Sequence, residues 1–165
     1  MKIIELLLKE FDHEIQTTRK MLALVPVDKF DWAPHEKSMK MKALATHIAE
    51  LPSWVELGLT TAELDFATAP YQPEVIENNE DLLALLEKSY QAGRNSLNNA
   101  SEADLSGRWL LRTAETIHAD MSKYEIIRHA FSQTIHHRAQ LGVYLRLLNI
   151  PIPGSYGPSA DDQKF

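Results

Sequence analysis

Apolar residues recur along the chain at spacings of three and four, and four segments carry that rhythm strongly enough to predict helices. In the first, from about Lys2 to Val25, one seam holds Ile4, Leu8, Phe11, Ile15, Thr18, Leu22 and Val25. That is the pattern of a helix lying nearly parallel or antiparallel to its neighbours. Pro26 and Pro34 bound the loop that follows, which contains Asp31 and Trp32. The second helix is expected to start near Ser38, a residue type that caps helices well. Its stripe is Met41, Leu44, Ile48, Leu51, Val55 and Leu59. Pro52 interrupts it, removing one backbone donor and crowding the preceding turn, so a kink or an early end is expected there.

Residues 60–77 contain Pro70 and Pro73 and lose the rhythm. They read as a long connection across the molecule, with room for one short helix. A third helix is predicted over 79–98, with Leu82, Leu86, Tyr90 and Leu97 inward and Gly93 on the same side, where a neighbour could approach closely. Residues 101–120 are ambiguous. Trp109-Leu110-Leu111 suggests an apolar anchor in a loop or a short extended piece. The fourth helix runs from about Ser122 to Asn149 on Ile127, Phe131, Thr134, Leu141, Leu145 and Leu148, and Pro151 and Pro153 end it. Four long helices without a convincing strand alternation predict an all-α four-helix bundle, a single domain over 1–165 with a long crossing connection.

Composition narrows the function classes. The 165 residues are 44% hydrophobic and 24% charged, as in an ordinary globular domain. The net charge of −6 disfavours nucleic acid, whose binders need clustered Lys and Arg. Lys37, Lys40 and Lys42 read as a solvated face. With no cysteine, the chain has no disulfide, thiolate metal site or cysteine nucleophile of its own. The apolar run after Met1 is broken by Glu5, Lys9 and Glu10, unlike a signal peptide, and no stretch approaches a membrane span. A cytoplasmic protein with no membrane partner is expected.

Helical phase sorts the candidate chemistry. On the fourth helix His137 falls inside the apolar arc and Gln133 at its edge, whereas His129 and His136 fall on the wet side. On the second helix His47 flanks the inward face, with Trp54 two turns on, and Glu50 is expected to be exposed. Residues four apart on a helix can share one ion. Gln133 and His137, with His47 from a facing helix, would make a three-point metal site with open positions. Against this stands the reading of inward histidines as hydrogen-bonded core residues. Arg138 lies within the apolar arc. It implies either a buried carboxylate partner or an anionic substrate. Trp54 is an anchor that could instead line a pocket for substrate. His13 is expected to be a partly buried hydrogen-bonder.

Four stretches together resemble the DinB/YfiT-like family: Asp31 to Met39, Leu44 to Pro52, Ile135 to Leu141, and the closing Pro151 to Asp161. The resemblance implies a four-helix bundle with an unusual crossing connection, often a homodimer. It also implies a divalent metal, zinc or nickel, held by three histidines: one on the second helix and an H-x-x-x-H pair on the last. His47 matches the first and His137 the last. Gln133 stands where the family usually has histidine. Related enzymes use low-molecular-weight thiols in transferase and isomerase reactions, and others are described as metal-dependent hydrolases. The resemblance therefore implies a metal-dependent enzyme acting on a small molecule, most simply a thiol-S-transferase and next a hydrolase. The Gln133 departure leaves open a non-catalytic dimer whose metal site has degenerated, with a stress-associated binding or structural role.

Overall fold

The computed structural model describes residues 2–163, so the domain expected over 1–165 is seen without its first and last two residues. The first apolar seam forms α1, Ile3–Leu22, with Arg19 and Lys20 near the negative end of its dipole. Phe11 and Ile15 point from it into the core.

The second helix begins later than expected. Ser38 closes a turn by donating its N–H to the His35 carbonyl. The helix α2, Met41–Glu50, has no side-chain cap. Instead the Trp32 and Phe30 carbonyls accept the Met41 and Lys42 N–H groups, so the 30–32 loop satisfies the open end. The break at Pro52 is as expected: α2 stops and α3 resumes over Ser53–Thr60. Gly93 explains how the break packs. A Cβ there would come within 2.6 Å of the Pro52 carbonyl and 3.1 Å of Phe11 and Val55. The helix carrying Gly93, α4 (Asn79–Asn99), therefore passes against the break. It is opened by a capping box in which Asn78 and Asp81 exchange hydrogen bonds. Ser122 and Glu125 open α5, Lys123–Leu147, in the same way.

The expectation of a purely all-α chain needs correction. Glu63–Asp65 (β1), Arg108–Thr113 (β2) and Thr116–Ser122 (β3) make a small three-stranded sheet. β1 pairs parallel to β2, and β2 pairs antiparallel to β3. The fold is thus mostly helical, with five α-helices among the described residues plus this sheet. The strands escaped notice for physical reasons. β1 has only three residues. β2 and β3 shift register between Leu111 and Arg112, which breaks the period of two. Neither strand alternates cleanly between buried and exposed positions. Trp109, the expected apolar anchor, is fully buried on β2, and its indole N–H donates to Thr61 Oγ1 at 3.0 Å. No short helix forms in the 61–78 connection; β1 takes its place.

The core lies between the helices. Phe11 of α1 stacks on Phe131 of α5 and meets Tyr90 of α4 edge-on, both at 5.2 Å between ring centroids. At its polar edge Arg138 of α5 meets Glu14 of α1 at 2.6 Å, and both are buried. No helix among the described residues is long and apolar enough to cross a membrane.

Candidate metal centre

α2 packs against α5, and the contact brings His47 and His137 together. Their ring centroids are 4.7 Å apart and the planes cross at 79°. Both rings are half-buried. Burial pushes the His47 imidazole below the ordinary histidine range, and the neighbouring His137 pushes it the same way. Each effect favours the neutral ring that a metal requires.

The orientation of His137 has a specific cause. Its Nδ1 lies 2.9 Å from Gln140 Oε1, one turn further along α5. An amide oxygen only accepts, so with the amide placed this way Nδ1 carries the proton and Nε2 keeps its lone pair. The same amide donates its N–H to His136 Nε2 at 3.2 Å. His136 itself is exposed, as its helical phase indicated, yet its ring lies 4.9 Å from that of His137.

Gln133 is half-buried, one turn before His137 on α5. Trp54, on α3, makes a second ring pair with α5. It lies nearly parallel to His129, at 26° and 6.3 Å between centroids. Gln133 is four residues from both His129 and His137, so it sits midway between the two cross-helix ring pairs. Among the described residues no three histidine or carboxylate side chains converge as a metal-holding group. A divalent ion would find two imidazole donors there, and the Gln133 amide lies one turn before His137 on the same helix. That chemistry fits zinc or nickel through the imidazoles and is weaker through the amide.

Arg138 faces elsewhere. Its guanidinium donates to Glu14 O and Thr18 Oγ1, both at 3.0 Å, and to Tyr156 Oη at 2.9 Å, besides the Glu14 carboxylate. The carboxylate partner that an inward arginine implies is Glu14. Tyr156 Oη–H donates to Glu14, and burial together with that carboxylate pushes the phenol up to about 12.

Two features beside His47 were not foreseen. Glu50, expected to be exposed, is half-buried, and Tyr71 Oη lies 2.8 and 3.0 Å from its two carboxylate oxygens. Burial raises the Glu50 carboxyl above its usual range. The i, i+3 spacing from His47 was a local signal that Glu50 shares its side of the helix; nothing local announces Tyr71, twenty-one residues on. His13, expected to be partly buried, is exposed.

Tyr71 and His47 also line a pocket of about 580 Å³. A second cavity of about 460 Å³ lies under the tail, between Ile152, Tyr156 and a face of α5 that includes Val143 and excludes His137. The cations on its wall are engaged, Arg138 with Glu14 and Arg146 with Asp161.

A model of the DinB family matches residues 1–164. The fold is shared with a DinB-like protein from Bacillus subtilis, at TM-score 0.70 and 18% identity, covering 96% of this chain and 99% of that one. A DinB-like protein from Bacillus cereus matches at 0.69 and 18%, covering 91% and 95%. The mycothiol-dependent maleylpyruvate isomerase matches at 0.61 and 18%, covering 84% of this chain and 60% of that one. At such identities these likenesses concern the fold. No curated protein matches the sequence.

Proposed function

The chain belongs to the DinB family, and from that premise we propose that it is a divalent-metal-dependent enzyme acting on a small molecule. His47 and His137 would be the imidazole ligands and Gln133 an amide-oxygen ligand, with zinc or nickel as the ion. The observation that carries this reading is the His47–His137 pair: two half-buried rings in contact across two helices, one fixed in the ligand tautomer by Gln140. A divalent cation there would supply Lewis acidity, lowering the pKa of a bound water or thiol.

The chain's own groups do the rest. Gln140 holds His137 with Nε2 free. The raised Glu50 carboxyl, one turn from His47 on the same helix, can take up a proton, and Tyr71 orients it. The adjoining pocket gives a small molecule room beside His47. Thiol-S-transfer is the preferred class and hydrolysis the second. The chain has no cysteine, so a low-molecular-weight thiol must come from solution. The mycothiol dependence of the similarly folded isomerase supports that class. A cytoplasmic homodimer is part of the same reading.

The test is the metal content of protein purified without a metal-affinity column, beside His47→Ala. Near-stoichiometric zinc or nickel in the parent protein, lost in the variant, is the expected result. Metal absent from both after incubation with either ion defeats the proposal. The lack, among the described residues, of three converging histidine or carboxylate side chains favours one rival, a non-catalytic binding or structural dimer with a degenerate site. Gln133→His separates the two. Strong metal binding gained only in that variant identifies the degenerate form.

A further inference from the structure

The pocket beside His47 has an uneven distribution of charge. Its wall includes Asp31, Glu74, Lys40 and Lys42. Asp31 is paired with Lys40 and Glu74 with Lys88, each at 2.8 Å. Lys42 alone among these makes no contact ion pair among the described residues, although it stands in the field of Asp31 and, after Lys40, helps to lower that carboxyl. Its ammonium is held instead over the Phe30 ring, 5.7 Å from the centroid.

One helical turn further along α2, on the same wall, is Thr46. It is only 4% exposed, and its hydroxyl makes no hydrogen bond among the described residues. The hydroxyl is not among the buried polar atoms left without a partner, so it faces the pocket's solvent, where a ligand oxygen could replace water. Lys42 and Thr46 are four apart and so stand over one another. His47 follows immediately. The remaining surface is largely apolar, from Phe30, Met39, Ala43, Pro73 and Val75. Tyr71, also on the wall, has its hydroxyl committed to Glu50.

We propose that this pocket is a binding site for a small organic carboxylate with an apolar body. The carboxylate sits on Lys42 Nζ and Thr46 Oγ1, the body lies against Phe30 and the 73–75 segment, and the other end reaches His47. One ammonium without a contact ion pair and one hydroxyl donor match the two oxygens of a single carboxylate. A phosphate dianion, with twice the charge, would meet the same single unpaired ammonium, with Asp31 and Glu74 close by and a chain of net charge −6 around it. The assignment deepens the metal-enzyme reading by naming the substrate class, although binding at Lys42 does not itself require a metal.

The experiment uses two shape-matched probes, phenylacetate and its neutral isostere phenylacetamide, titrated calorimetrically into the full chain. The parent protein, Lys42→Met, Thr46→Val and His47→Ala are compared, each as purified and after EDTA treatment. Phenylacetate is expected to bind the parent protein in both states, and about tenfold more weakly to Lys42→Met, the loss associated with a charge-assisted hydrogen bond. Thr46→Val should show a smaller loss, and phenylacetamide should bind all variants weakly and alike. No saturable binding of phenylacetate overturns the proposal. So does equal binding by Lys42→Met, or equal affinity for the two probes. Binding that vanishes with EDTA and with His47→Ala but survives Lys42→Met places the carboxylate on the metal; that outcome overturns the Lys42 anchor and upholds the metal centre. Binding that survives EDTA in a protein that never holds metal upholds the anchor and removes the metal reading.

Discussion

Gln140 shows how much a single side chain can settle. Its amide bonds to His136 and His137 on its own helix, and with its oxygen against Nδ1 that nitrogen of His137 carries the proton. Partners of this kind typically contribute about 10–100-fold in metal affinity. Gln140→Leu is expected to weaken zinc or nickel binding by about that factor, measured by competition against a chromophoric chelator, with thermal stability almost unchanged because the side chain is exposed. Unchanged affinity would mean that His137 finds its orientation from packing alone. His47, Gln133 and His137 were accessible to periodicity, since each phase angle follows from residue number alone. Gln140 was present in the sequence but had no reason to be singled out, because its role depends on the tautomer of another residue. Tyr71 could not have been found, because its contact with Glu50 is made by a connection without periodicity.

At the scale of elements, the helices follow from local rules and their exact joints follow from packing. Gly93 and Pro52 form one such joint. Proline ends α2, and the missing side chain of Gly93 lets α4 lie against the Pro52 carbonyl. Gly93→Ala gains about 1 kcal/mol of helix propensity. It also forces a methyl group to within 2.6 Å of a backbone oxygen that cannot rotate away, and such overpacking costs about 1–3 kcal/mol. Net destabilisation is expected, read as a lower urea midpoint. A midpoint at or above that of the parent protein would show that α3 and α4 separate without cost. The helical seams, the break at Pro52 and the inward phase of Gly93 were legible because each depends on residues within a turn or two; that Gly93 meets Pro52 was not. The sheet was not legible. Its parallel pairing joins β1 to β2 across the whole of α4, and its bulge erases the alternation that would have marked it. The start of α2 was misplaced for a similar reason, because two loop carbonyls do the work of the cap that Ser38 suggested.

Over the whole molecule, polar ties fix how α1, α4, α5 and the tail sit around the cleft. Asp12 of α1 takes hydrogen bonds from Tyr90 at 2.6 Å and Arg94 at 3.0 Å on α4. Arg138 joins α5 to α1 through Glu14 and Thr18, and Tyr156 closes the tail onto the same pair. This cluster decides between the two roles that an inward arginine could have. A substrate anchor would need an open guanidinium, whereas this one is 3% exposed and hydrogen-bonded on two sides. Removing one member of a buried pair strands the other charge, at a cost of about 3–5 kcal/mol. Arg138→Met should therefore lower unfolding stability by that amount, with the Glu14→Gln, Arg138→Met double variant recovering part of it because no carboxylate is then left unpaired. Chemical denaturation of the three proteins measures both quantities. If Arg138→Met kept the parent's midpoint while losing affinity for a small anion, the arginine would belong to a binding site and the tail would be its cover. If stability falls and returns as expected, the cluster is a structural tie that fastens α5, the helix carrying His137, to α1 and the tail.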